Sequence, residues 1–511
     1  MRSVIILLLL CAIVSVGLFD KSKSNIKEMP KDFLSGKINE EVRHALDKFE
    51  KKFNTTALTT FREELAGLED KIKANLNLTK EELAEVTARV KLVKRTKVDQ
   101  VQPVGDSIDD INLNVGIGVA LYQGDIVLTK EQSEEILDQI REVGNRSKRQ
   151  AFRDRNYPMT IWPNREVPYF FDLNAGPSTR SVFSKAAKLW AKDTCIDIYE
   201  DEFAEESIRV FEQDGCWSYV GKLQGTQDLS LGQGCDSIGT AAHELGHALG
   251  FFHTHSRHDR NDYITVMTSN IKEDWLDQFT LETEATNDNY GLPYDYGSVM
   301  QYGATSASDD KVHKSLTMVP KDIKYTETLG SPFISFIDLL MMNMHYSCTD
   351  DCEPRTSAKC HNNGFVHPRD CQKCICPGGY GGDFCDERPK GCGQTLIATP
   401  QPQVFVDEVG NRDAGTTPRE DFDMCYYWIK APEGKRIKVK LLQFQPEGIA
   451  VDGCVYAGVE FKWQKDQMLS GPRYCSSQDA GTELISSSHL MPIITYNRMY
   501  ASVAVIQYSF V

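Results

Sequence analysis

The stretch that decides the reading of this chain is His243-Glu244-Leu245-Gly246-His247-Ala248-Leu249-Gly250-Phe251-Phe252-His253. Helical residues four apart share a face and lie about 6 Å apart along the axis, so His243 and His247 can meet one metal ion. Glu244 follows the first histidine, close enough to hydrogen-bond a water at the ion without being a ligand itself. Gly250 can end the helix in a left-handed turn, after which the chain swings round to deliver His253 as a third nitrogen. Three protein nitrogens leave one position open, which separates a catalytic zinc from a structural one. Only 11 histidines occur in the chain, so three at this spacing around a Glu and a Gly argue against an amphipathic helix with incidental core or surface histidines. The pattern predicts one Zn²⁺ per chain, held by His243, His247 and His253.

At 511 residues the length suggests three or four domains. The formal charge of −16 argues against a nucleic-acid partner, which needs a basic footprint. Of 15 cysteines, one lies at Cys11; the other 14 begin at Cys195 and fall in groups of four, six and four. Even groups suit disulfides in an oxidising compartment. Residues 1–17 supply the route there: Arg2, an apolar run over residues 4–14, then Ser15-Val16-Gly17, the form of a cleaved signal peptide. The run is too short to span a bilayer, an uncleaved anchor is the weaker alternative, and no later stretch suggests a membrane span. The expectation is a secreted, extracellular protein.

Residues 18–149 contain no cysteine and read as a mostly helical propeptide. Residues 39–97 are charged, with Leu, Phe and Val at helical intervals. Thr79 and Glu82 form a capping box in sequence, and Thr129 with Gln132 opens a second short helix. Residues 112–127 alternate apolar and small residues and read as extended chain. Asn54, Asn77 and Asn145 head glycosylation triplets, the last crowding a dibasic run, Arg146-Ser147-Lys148-Arg149. Cleavage after Arg149 by a proprotein convertase would release this segment; a solvated charge cluster is the bland alternative. In Tyr122-Gln123-Gly124-Asp125 a carboxylate can take a metal's open position while Gly124 allows close backbone approach, though such a tetrapeptide alone more often makes a turn.

The zinc stretch continues as His255-Ser256-Arg257-His258-Asp259-Arg260, and further on comes Tyr294-Asp295-Tyr296-Gly297-Ser298-Val299-Met300-Gln301-Tyr302. Together these make residues 150–350 resemble an astacin-family catalytic domain, an α+β metzincin fold. The resemblance implies that Met300 underlies the metal, and that Tyr302 ligates it in the resting enzyme and then swings off to stabilise the tetrahedral intermediate. It also implies that Asp125 blocks the zinc in the latent form, with pairs Cys195–Cys348 and Cys216–Cys235. The first pair closes a loop nominally worth about 4–5 kcal/mol. Residues 162–169 and 227–231 read as strands, the latter near the edge strand that aligns substrate backbone. Residues 181–192 and 333–346 read as helices. Two positions depart from the family pattern: Thr254 stands where a Glu usually receives the new N-terminus, and Tyr122 replaces a Phe.

Cys352, Cys360, Cys371, Cys374, Cys376 and Cys385 are spaced like an EGF-like module over residues 351–388, which implies the pairs 352–371, 360–374 and 376–385. Six cysteines allow 15 patterns, and a zinc knuckle at Cys371 and Cys374 is the competing reading. Residues 389–511, with strand-like runs at 437–442 and 500–508, resemble an all-β CUB sandwich with Cys392–Cys425 and Cys454–Cys475. No calcium site is evident there.

These readings converge on a secreted zinc endopeptidase made as a zymogen, with Glu244 as general base. Its partners would be extracellular protein substrates, an activating convertase and protein ligands of the CUB domain; similarity to nematode-type astacins implies matrix, cuticle or egg-coat substrates. The rival is an inert matrix-binding protein built on the EGF and CUB modules. A matrix metalloprotease is disfavoured because the propeptide has no cysteine to block the zinc.

Overall fold

A computed structural model describes residues 38–50, 56–94, 98–142, 151–152, 159–283, 287–310 and 313–511. Residues 1–17, Asn54, Asn145 and Arg149 lie outside these.

The N-terminal part is a set of helices, Glu40–Glu50, Thr56–Ala66, Glu69–Leu76, Lys80–Val90, Ile108–Asn114 and Lys130–Glu142, which share one core with the domain that follows. The Thr79 hydroxyl accepts from Glu82 N at 3.2 Å while Glu82 accepts from Thr79 N at 2.8 Å. Thr129 and Gln132 do the same for Lys130–Glu142. The extended reading of residues 112–127 is corrected here. Ser107 caps the helix Ile108–Asn114, a 3-10 turn follows at Gly118–Ala120, and only Ile126–Val127 is strand. Gly118 explains the turn's place: a Cβ there would lie 2.4 Å from the Trp275 ring, so only a bare backbone can pack against it.

A six-stranded sheet is the scaffold of the next part. Its order is Ile126–Val127, Cys216–Tyr219, Thr226–Leu231, Ser207–Phe211, Glu166–Phe171 and Asp197–Glu200. The last four run parallel; Cys216–Tyr219 runs antiparallel to Thr226–Leu231, and Ile126–Val127 lies parallel to Cys216–Tyr219. Cys216–Tyr219 is thus this domain's own edge, capped by the N-terminal part, and the run at 227–231 lies one strand further in. The strand expected from residue 162 begins at Glu166, because Pro163–Arg165 forms a 3-10 turn with Asn164 at φ 56°. Helices Pro177–Lys192 and Ile238–Ala248 pack together, with Trp190 Nε1 donating to Ala242 O at 3.0 Å. A third helix, Phe336–His345, starts three residues later than its pattern suggests, at a capping box between Ser335 and Asp338.

Seven disulfides close in the structure: Cys195–Cys348, Cys216–Cys235, Cys352–Cys371, Cys360–Cys374, Cys376–Cys385, Cys392–Cys425 and Cys454–Cys475. Three of them hold a small unit whose one sheet pairs Phe365–His367 with Asp370–Ile375, too little core to stand without cross-links. The C-terminal part is a sandwich of a five-stranded and a four-stranded sheet around its own core. It is docked on the preceding domain: Asp452 accepts from Thr305 N at 2.7 Å, and Thr328 Oγ1 accepts from Arg473 N at 3.0 Å. The N-terminal part reaches it too. Asp99 N donates to Ala450 O and Ala450 N to Asp99 Oδ2, both at 2.9 Å, and the Tyr456 hydroxyl donates to Asp106 at 2.5 Å. Among the described residues no helix is long and apolar enough to cross a membrane.

Candidate active site

Ser237 caps the helix Ile238–Ala248 by accepting from Thr240 N at 3.0 Å, and the residues from Ala241 to Ala248 are buried. His243 and His247 stand one turn apart, with their Nε2 atoms 3.1 Å from each other. Gly250, at φ +114°, then turns the chain; a Cβ there would meet His345 Nε2 at 2.8 Å. The same turn brings Phe251 O to 2.6 Å from His247 Nδ1, so the residues that end the helix also orient its second histidine. His253 arrives from the loop with its Nε2 3.1 Å from that of His243.

The outer nitrogens fix the tautomers. His243 Nδ1 faces Val299 O at 2.7 Å, and His253 Nδ1 faces the Gln123 side-chain oxygen at 2.9 Å. Each Nδ1 therefore carries the proton and each Nε2 turns a lone pair to the centre. Burial favours the neutral form of His253, pushing its pKa down to about 3, and lowers that of His247 in the same direction. Neutral imidazole nitrogens 3.1 Å apart with no proton between them repel unless a cation lies among them. Tetrahedral zinc with bonds of about 2.0–2.1 Å spaces its donors about 3.3 Å apart, so this set fits.

Asp125 completes the cluster. Its Oδ2 lies 3.1 Å from the Nε2 atoms of His243 and His253, and its Oδ1 lies 3.4 Å from His247 Nε2. All four donor atoms fall within 4.8 Å of one another, and Oδ1, fully buried, has no hydrogen-bond partner of its own. The Tyr302 hydroxyl donates to Asp125 Oδ2 at 2.6 Å, and its ring packs against those of His253 and His255, with centroids 4.4 and 4.9 Å away. Burial, then the Asp125 charge, keeps Tyr302 a protonated phenol and hence a donor. Met300 lies beneath the helix, against Gly246, where a Cβ would stand 2.7 Å from its sulfur. Both Glu244 oxygens are buried without hydrogen-bond partners, and burial, then Asp125, raises that carboxyl well above the carboxylate range.

Four further groups hold this arrangement. Gln123 bridges His253 to Glu282, donating to Glu282 Oε1 at 2.8 Å. Asn112 pairs with the backbone of Cys216. Asp338 takes the Ser298 hydroxyl at 2.6 Å and Val299 N at 2.9 Å, fixing the turn before Met300. Thr254, the position where the family pattern has a Glu, donates instead to Ser298 Oγ at 2.8 Å. Gln123 lay inside the quoted tetrapeptide and Thr254 stood out as a departure from the family pattern; nothing local marks Asn112 or Asp338. Asn77, at the end of Glu69–Leu76, is exposed.

The profile described as Astacin (Peptidase family M12A) matches residues 154–347. The zinc metalloproteinase nas-31 of Caenorhabditis elegans is 44% identical over 475 residues, covering 90% of this chain and 76% of the relative. The chain belongs to the astacin family of zinc metalloproteinases. A second Caenorhabditis elegans relative, zinc metalloproteinase nas-29, is 34% identical over 76% of each chain. Among solved structures, the high choriolytic enzyme 1 of Oryzias latipes, a hatching-enzyme zinc protease, aligns at 26% identity and a TM-score of 0.36, over 38% of this chain and 98% of that one. In this astacin-family peptidase the three histidines, Glu244, Met300 and Tyr302 fall inside the matched residues, while Asp125 lies N-terminal to them.

Proposed function

We propose that this chain is a secreted zinc endopeptidase made as a zymogen, that residues 18–149 are its propeptide, and that Asp125 keeps it latent until cleavage after Arg149. One observation carries this reading: the Asp125 carboxylate stands 3.1 Å from two of the three converging nitrogens, on the ground a nucleophilic water needs.

His243, His247 and His253 hold the ion in the mature enzyme. Zinc bound there supplies Lewis acidity toward a peptide carbonyl and toward water. Glu244, freed of the neighbouring Asp125 charge, takes the attacking water's proton and passes it to the leaving amine. Tyr302, released from Asp125, would donate its hydroxyl hydrogen to the developing oxyanion and would help hold the ion in the resting enzyme. Met300 keeps the floor apolar. Residues 351–388 act as an EGF-like module and 389–511 as a CUB domain that binds proteins. Substrates are extracellular proteins, of the matrix, cuticle or egg-coat class in keeping with the nematode relatives.

The test is casein hydrolysis by the secreted chain before and after cleavage at Arg149, with and without a chelator. Activity should appear only after cleavage and vanish with chelation. Equal activity before and after would sink the zymogen reading, and activity indifferent to chelator would sink the zinc.

A further inference from the structure

Residues 295–305 carry Met300 and Tyr302, and the C-terminal sandwich holds this stretch at both ends. At its start, Asp295, 2% exposed, accepts from Ser470 N at 3.0 Å and Ser470 Oγ at 3.1 Å, besides the Gly297 N–H of its own turn at 3.2 Å. A Cβ on Gly297 would lie 2.3 Å from Ser470 Oγ, so only a bare backbone fits under that hydroxyl. At its end, Asp452 Oδ2 accepts from both Thr305 N at 2.7 Å and Thr305 Oγ1 at 2.8 Å. Gly303, directly after Tyr302, is as close: a Cβ there would stand 2.7 Å from the same oxygen. Met468 and Leu469 of the sandwich pack on the core beneath, so the seam is apolar as well as hydrogen-bonded.

The middle of the stretch is fixed within the catalytic domain, by Asp338 on Ser298 and Val299 and by Thr254 N, which donates to Met300 O at 2.9 Å. Beyond Tyr302, Ala304 O accepts from Thr317 N at 2.9 Å, and the next residue turns its N–H and its hydroxyl to the sandwich. Tyr302 therefore stands between an anchor in its own domain and one supplied by another. In the latent form its hydroxyl is also fixed by Asp125. In the mature form proposed above that contact is gone, and the main chain on either side aims the phenol. A displacement of about 1 Å at a reacting group can cost on the order of 10²-fold in rate. Two charge-assisted hydrogen bonds to one carboxylate oxygen resist such a displacement.

We propose that Asp452, supported by Ser470, is a positioning residue for Tyr302, so that the C-terminal sandwich completes the catalytic stretch of the domain it is docked on. The inference rests on the endopeptidase reading above and adds a second domain to its machinery.

The experiment takes the full chain, activated by cutting after Arg149, through a library of short peptides and measures kcat and KM on the best of them. Asp452→Ala should lower kcat by about tenfold or more, with KM changed less than about twofold and zinc content unchanged. Asp452→Asn, which keeps a carbonyl acceptor for Thr305, should recover most of that loss. Because Asp452 acts through Tyr302, adding Asp452→Ala to Tyr302→Phe should cost less than about twofold more. If Asp452→Ala does not fold, Thr305→Val, which removes one of the two donors, should lower kcat about threefold and lose that effect on Tyr302→Phe in the same way. An unchanged kcat in the folded variants, a loss carried by KM, or an equal loss with and without Tyr302→Phe overturns the positioning role and leaves the endopeptidase reading standing. No cleavage of any peptide by wild type would instead overturn that reading, and the positioning role with it.

Discussion

Asn112 and Cys216 meet as two paired strand residues do, though one contributes only a side chain. The Asn112 amide donates to Cys216 O at 2.7 Å and its oxygen accepts from Cys216 N at 2.9 Å, while a second donor contact reaches Gly124 O at 2.9 Å. A carboxamide thereby occupies the backbone N–H and C=O of Cys216 on the edge strand of the catalytic domain's own sheet. Asn112→Ala strips three buried hydrogen bonds at a cost of about 2–4 kcal/mol. After cleavage at Arg149, the N-terminal segment should leave the variant at least tenfold faster than wild type, read as the lag before full peptidase activity.

Glu244→Gln should retain zinc and lose activity by about 10³- to 10⁴-fold, because the side chain keeps its shape but can no longer take a proton. Tyr302→Phe should lower kcat about 10²-fold with little change in KM, since the lost hydroxyl serves the developing oxyanion. Zinc content measured alongside activity checks both. A Glu244→Gln protein as active as wild type would remove the residue from the chemistry.

Gly250→Ala forces a side chain onto a backbone at φ +114° and into His345 Nε2 at 2.8 Å. The strain alone is about 1–3 kcal/mol. The same turn sets Phe251 O against His247 Nδ1, so the variant should melt lower and release zinc more readily to a competing chelator. Ala248→Ser, on the preceding turn, should do neither to the same extent.

Asp109 links the N-terminal segment to the catalytic domain, accepting from Ser306 Oγ at 2.9 Å and Ala307 N at 3.1 Å. Burial, then the charge of Asp110, pushes its carboxyl up from 3.8 to about 6. The folded state therefore holds this proton more tightly than the unfolded chain does. The contribution is complete below pH ~4 and is lost as pH rises through about 6, worth up to about 3 kcal/mol. The uncleaved protein should gain stability on acidification from pH 7 to 5 by this term, and Asp109→Asn should flatten that part of the denaturant midpoint profile. Asp274, raised to about 6 by burial and then by Glu41, works in the same sense but is more exposed.

The ligand helix could be read from sequence because its information is local: a spacing of four, a glycine to stop it, and a third histidine just past the turn. Asp125 could be noticed only as a carboxylate after a glycine. What makes it part of the site, a tie from Ser218 N to Asp125 O at 3.1 Å and the Gln123 bridge to His253, comes from residues about a hundred positions away. Glu282 had no signal, since its partners Tyr122 and Gln123 lie some 160 residues upstream. Residues 112–127 misled for a physical reason. Small and apolar residues in alternation suit a strand, but Ser107 caps a helix into them and the Trp275 ring takes the room that Gly118 leaves. Thr254 shows the converse: a departure from the family pattern was visible in sequence, but the bond its hydroxyl makes to Ser298, which donates on to Asp338, was not.

The N-terminal segment also rests on the C-terminal sandwich, through Asp99 with Ala450 and Asp106 with Tyr456. A cut at Arg149 severs one covalent link and leaves every one of those grips intact. Scission and departure are then separate events on the way to a working enzyme. On the proposed zymogen reading, the first would run at the pace of another protease; the second would run on dilution and time, with a domain other than the catalytic one helping to set that clock.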